Sequence, residues 1–167
     1  MTTAIIGTGG IGSAIARQLA AGGEALQLSS ADKESARKLA AAIDGAVVVA
    51  LDNRSALQGA DAVVLALRFS VLKDVIDEIA DALGDTCLVV PSNPVGLDPQ
   101  GKVVRLLPEG QSSGQVVAGW LPIGTRFAIA FGTMSAGLSS HRAAGRPSPR
   151  CCSTCPRTNR GATKSST

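Results

Sequence analysis

The chain has 167 residues, enough for one domain with a real core, and 45% of them are hydrophobic while only 2% are aromatic. A core of that composition is aliphatic, which suits a parallel sheet covered by helices on both faces. Residues 1–134 carry 10 Lys and Arg against 13 Asp and Glu, whereas residues 135–167 carry six Lys and Arg and no carboxylate. The net charge of +3 therefore belongs to the tail, and a nucleic-acid footprint on the body of the chain is excluded.

Residues 3–6 read as a short apolar strand that runs directly into Gly7-Thr8-Gly9-Gly10-Ile11-Gly12. Ile11, Ile15 and Leu19 then recur at helical spacing among good helix-forming alanines, and Gly22-Gly23 ends that helix. Residues 25–28 form a second strand leading to Ser29-Ser30, residues 33–42 a helix, and residues 46–50 a third strand. A short helix or turn covers residues 53–59, and Asp61 precedes a fourth strand over 62–67. Val71, Val75, Ile76, Ile79 and Leu83 mark an amphipathic helix with Lys73, Asp74, Asp77, Glu78 and Asp81 on its outer face. Residues 87–90 are a fifth strand, ended by Pro91. The Pro/Gly-rich stretch 91–110 is read as irregular, residues 113–121 as one more helix and residues 126–131 as a sixth strand. Strand and helix alternate throughout, which predicts an α/β fold with a doubly wound parallel sheet, the NAD(P)-binding Rossmann fold, over residues 1–134.

The glycine loop sits where that fold places a pyrophosphate. It follows a strand and opens a helix, as the mechanism requires. Gly7 permits the tight turn, Gly9 lets the backbone approach the pyrophosphate, and Gly12 lets the helix pack on the strand. Free N–H groups at the helix start then face the phosphates. The alternative is an ordinary flexible turn between strand and helix.

The end of the second strand bears on which nucleotide. An NAD site usually places Asp or Glu there to hold the ribose 2′-hydroxyl. Here the residues are Ser29-Ser30-Ala31-Asp32-Lys33, with Asp32 beyond the strand. Ser29 and Ser30 can donate to a 2′-phosphate, and Lys33 or Arg37 can add charge, so NADP is favoured. The competing role, with which this is compatible, has Ser30 capping the next helix and Lys33 in solvent.

At this point residues 1–134 resemble the NADP-binding half of the NADPH-dependent coenzyme F420 reductases, a family that shares its nucleotide domain with the pyrroline-5-carboxylate reductases and the STEAP-type ferric reductases. The resemblance rests on the start through Gly12, Ser29-Ser30, residues 60–67, Ser92-Asn93-Pro94-Val95-Gly96 and Ala130-Phe131-Gly132-Thr133-Met134. It implies that Thr8, Gly9, Gly10 and Ile11 contact the pyrophosphate, and that Ser29, Ser30 and Lys33 face the 2′-phosphate. Leu67 and Arg68 would border the path from adenosine to nicotinamide. Asn93 and Pro94 would lie near the nicotinamide, and Thr133 and Met134 would approach a deazaflavin. The implied chemistry is hydride transfer between NADPH and coenzyme F420, in which the cofactors carry the reactive atoms, so no catalytic residue is named. The chain departs from the family at Ile129, where a polar or basic residue is common, and at Gly132, where Asn or His is common. Gly132 thus removes a side chain that could touch the second substrate.

Residues 135–167 have little to build a core from and are expected to be disordered. Cys151, Cys152, Cys155 and His141 lack the scaffold of a zinc site, so no metal is expected. The family continues for several further elements. With no Asp or Glu in the tail, and with a GC-rich alternative frame that allows an apolar strand followed by an acidic turn and helix, the tail is read as a truncation or frameshift product. Absence of a signal peptide or a long apolar run leads to the expectation of a cytoplasmic chain without membrane contact. Its partners would be small-molecule substrates, with a homodimer formed through the open edge of the sixth strand. The functions in competition are an NADP-dependent oxidoreductase of the F420 type, a nucleotide-binding module without turnover, and a related flavin or imine reductase.

Overall fold

A computed structural model describes residues 1–132. Thr133 and Met134, the histidine and the cysteine cluster of the tail lie outside the described residues, as does every expectation that rests on them.

The aliphatic runs form strands: β1 (Thr2–Ile6), β2 (Ala25–Ser29), β3 (Val47–Val49), β4 (Ala62–Leu65) and β5 (Cys87–Val90). They are joined by helices α1 (Gly10–Ala21), α2 (Lys33–Ala41) and α3 (Phe69–Ile79). After β5 come β6 (Val95–Leu97), β7 (Val103–Arg105), α4 (Ser113–Trp120) and β8 (Phe127–Ile129). Six strands pair in parallel in the order β3-β2-β1-β4-β5-β8. This is the doubly wound Rossmann order: the chain moves outward from β1 to β3, then returns to lay β4 on the other side of β1. The expected α/β fold is therefore observed.

Alternation along the central strands sends side chains into two core layers. Ile5, Val64, Leu26 and Leu28 pack with Ala16, Ala36 and Leu39 in one layer. Ala4, Ile6, Val63, Leu65, Leu88 and Val90 pack with Leu72, Ile76, Ile79 and Val117 in the other. With both faces covered, the strands read as continuous apolar runs rather than alternating ones.

Several boundaries differ from expectation. β4 ends at Leu65, two residues early, and α3 gives way after Ile79 to a 3₁₀ turn, Ala80–Ala82. The expected 53–59 segment contains a 3₁₀ turn, Ser55–Leu57. The sixth sheet strand is shorter than expected, and two residues beyond it Phe131 has φ of +64°. The stretch 91–110 is not irregular throughout: β6 and β7 form an antiparallel hairpin with Leu97 opposite Val103. Its turn is held by Asp98, whose carboxylate accepts from the backbone N–H of Gln100 and Lys102. Nor is Ser30 the cap of α2. Asp32 is the N-cap, and its side chain accepts from the Glu34 N–H.

Candidate functional site

In a parallel sheet the segments that follow the strands all leave from one edge, and the crevice opens where the strand order reverses, between β1 and β4. The loop of residues 7–12 follows β1 into that crevice. Gly7 has φ of +100°, a conformation costly for any other residue, and its N–H donates to the Ser29 carbonyl at 2.8 Å. A Cβ on Gly7 would lie 2.4 Å from the Ala66 carbonyl oxygen. One on Gly12 would lie 1.9 Å from the Gly7 carbonyl oxygen, so this glycine sets how closely α1 approaches the sheet. Gly9 is different: a Cβ there meets nothing within 4 Å. Its backbone borders open space.

Around that space the loop presents backbone. Gly9 and Gly10 are exposed, Thr8 is half-buried, and Ile11 is 38% exposed. Ser13 fastens the loop from behind, its hydroxyl donating to the Thr8 carbonyl at 2.8 Å. Gly9 is the N-cap of α1 and supplies no side-chain hydrogen bond, and the first turn holds no acidic residue. The N–H groups of that turn thus lack a side-chain cap and form the positive end of the helix dipole. A pyrophosphate fits this donor set, because it needs close-approaching backbone N–H groups and no intruding side chain.

At the end of β2, Ser29 is 1% exposed, and its hydroxyl donates to Asn53 Oδ1 at 2.7 Å. Asn53 is itself oriented by Glu78, to which its amide donates at 2.9 Å. Ser30 is half-buried, and the Lys33 ammonium donates to the Leu51 carbonyl beyond β3. The Asp32 carboxyl lies below the usual 3.8, held there first by the Ser35 hydroxyl and then by the Ser35 and Glu34 backbone and by Lys38. It is occupied with the first turn of α2. Asn53 went unrecognised in the sequence, where it sits in a turn with no periodicity.

Past β4 and β5, Leu67 is half-buried, and its Cδ2 would lie 2.9 Å from a Cβ on Gly7, so it packs behind the glycine loop. Arg68 is exposed at the N-cap of α3. The Ser92 hydroxyl donates to the Leu67 carbonyl and ties the two strand ends together. Asn93 is exposed and Pro94 half-buried, and the Asn93 amide donates to the Gly132 carbonyl. A Cβ at Gly132 would lie 2.7 Å from Asn93 Oδ1. The space that the glycine leaves is thus occupied by the Asn93 amide. Ser92, like Asn53, acts by holding a strand end and carries no sequence signal of that role.

Fold and loop together define a Rossmann-type nucleotide domain. Residues 2–94 match the family model described as NADP oxidoreductase, coenzyme F420-dependent, and the chain belongs to that family. Among solved structures it is similar to a hypothetical protein from Sinorhizobium meliloti, at 27% identity over 84% of this chain and 66% of that one, with a TM-score of 0.68. A protein assigned as an F420-dependent NADP reductase from Arthrobacter sp. FB24 matches at 21% identity over 83% of this chain and 65% of that one, with a TM-score of 0.72. An imine reductase from Myxococcus stipitatus, solved with NADP⁺, matches at 20% identity over 77% of this chain and 40% of that one, with a TM-score of 0.57. The chain thus spans just under two thirds of the length of the first two. No curated protein sequence matches it. Among the described residues, no helix is long and apolar enough to cross a membrane.

Proposed function

We propose that the chain binds NADP(H) across the β1/β4 crevice and serves hydride transfer between its nicotinamide and a small-molecule acceptor of the deazaflavin type, coenzyme F420. The observation that carries the nucleotide half is the division within the glycine loop. Gly7 and Gly12 are hemmed in by backbone, whereas Gly9 borders open space at an uncapped helix start. A loop selected only for flexibility has no reason to be closed on two sides and open on the third.

The bound nicotinamide supplies the hydride. Residues of the chain bind and orient. In this reading Thr8, Gly9, Gly10 and Ile11 present backbone to the pyrophosphate, and Ser30 and Lys33 serve the 2′-phosphate. Ser29 keeps its hydroxyl on Asn53 and holds the strand end in place. Asn93 and Pro94 border the nicotinamide, while Leu67 and Ser92 hold their strand ends rigid. Orienting two rings and excluding water is the protein's share of such a reaction.

Fluorescence titration of the protein with NADPH and NADH tests the nucleotide half; NADPH should bind tighter, and tighter binding of NADH overturns the reading of Ser30 and Lys33. Reduction of F420 by NADPH, compared with reduction of a flavin or a cyclic imine, tests the acceptor. The alternative reading is nucleotide binding without turnover. NADPH binding with none of the three acceptors reduced would select it.

A further inference from the structure

We infer that the cavity between the β6–β7 hairpin and the start of α3 binds a small molecule that has an apolar body and one anionic group, with Arg68 as the anion's partner. The cavity measures about 530 Å³ and is lined by Arg68 and Ser70 at the N-cap and first turn of α3 and by Val95, Leu97, Val103 and Leu106 from the hairpin and its exit. That volume lies within the range of small-molecule pockets.

The hairpin is built to present apolar surface there. Leu97 and Val103 are direct partners across the pair, and Val95 lies on the same face opposite Arg105, whose guanidinium donates to the Gln111 carbonyl. These three side chains are 70%, 64% and 52% exposed. Gly96, which also lines the cavity, makes room for Leu106, whose Cδ2 would lie 2.9 Å from a Cβ at position 96. Contiguous exposed apolar side chains carry a hydration cost that a ligand relieves, so they mark binding surfaces more often than a scattered Leu does.

Charge then selects the occupant. Among the described residues, Arg68 is the one charged residue lining the cavity, and no carboxylate accompanies it. Arg68 has no ion pair among the described residues. A guanidinium beside an apolar wall recognises carboxylate, phosphate or sulfonate through paired N–H donors while the wall takes the hydrocarbon. The hairpin starts directly after Asn93-Pro94, and Arg68 lies three residues beyond β4, at the N-cap of α3. Both therefore neighbour the residues assigned above to the nicotinamide, which places the occupant beside the hydride acceptor's path. That last step rests on the proposed function; the anion site does not.

The test uses the full chain and two fluorescent probes of one ring system, 8-anilinonaphthalene-1-sulfonate and the uncharged N-phenyl-1-naphthylamine. The sulfonate should bind about tenfold tighter, the scale of one charge-assisted contact, with one equivalent per chain. Arg68→Gln should erase that difference while keeping the affinity for the neutral probe. Leu97→Asp should weaken both probes and leave NADPH affinity unchanged, with circular dichroism confirming that each variant is folded. Equal affinities in the native chain, or discrimination that persists in Arg68→Gln, overturns the inference. So does probe binding that disappears as the chain self-associates, which would make the hairpin a protein contact. A chain that fails to bind NADPH yet discriminates through Arg68 refutes the nucleotide reading alone; one that binds NADPH without discriminating refutes the anion site alone.

Discussion

Gly9 and Gly12 are three residues apart in one loop, yet substitution should separate them. At Gly12 a side chain meets the Gly7 carbonyl, which belongs to the backbone and cannot move aside without shifting α1 off the sheet. Gly12→Val should therefore lose cooperative unfolding in a urea titration. At Gly9 a side chain enters open space, so Gly9→Val should keep its melting temperature and lose at least about tenfold in NADPH affinity, because the backbone no longer reaches the pyrophosphate. Equal effects of the two variants on folding would contradict this division. Asp32 makes a second prediction at this scale. Its folded carboxyl lies below the ordinary 3.8, chiefly through the Ser35 hydroxyl. A depressed carboxyl contributes its stability in full above the unfolded value and loses it as pH falls through the lower folded value. In chemical denaturation across pH, Asp32→Asn should thus lower stability at neutral pH, where the carboxylate contributes in full, with the difference from the native chain vanishing as pH falls below 3.8. Asp52 and Asp81 are depressed in the same sense, by Ser55 and Arg54 respectively, so the native acid limb is shared among the three.

Among the elements, α3 was the most legible in sequence and the hairpin the least, for one physical reason. Of the expected apolar face, Ile76 and Ile79 are fully buried at helical spacing, with Leu72 buried in place of the half-buried Val71. A repeat of that length is unambiguous. Ile76→Ala should cost about 2–5 kcal/mol by chemical denaturation, the range for truncating a well-packed core aliphatic, and a loss below 1 kcal/mol would mean that the layer collapses around the gap. The strands of the hairpin are three residues long, and one has Gly at its centre. So few residues carry no periodicity, and the Asp98-Pro99-Gln100-Gly101 turn alone does not reveal which flanking residues pair. The cap of α2 was missed for a related reason: Ser30 and Asp32 are both good capping types, and the choice between them depends on where β2 ends.

For the whole molecule, helices cover both faces of the sheet, and among the described residues its two edges are β3 and β8. Among the described residues β8 pairs only with β5, and an unpaired strand edge invites a second chain. Self-association that strengthens with concentration is expected in sedimentation velocity, and Ile129→Lys on this strand should reduce it; an unchanged profile would place the contact elsewhere. The aliphatic composition, the strand–helix alternation and the spacing of Gly7, Gly9 and Gly12 determined the fold by themselves, because local periodicity and backbone sterics act within a few residues of sequence. Only the tertiary structure decided that Ser29 faces Asn53, that the Asn93 amide fills the space left by Gly132, and that Arg68 borders the hairpin cavity. Those contacts join segments between 24 and 39 residues apart in the first two cases, and which groups meet across such distances depends on strand order and register, which no local pattern encodes.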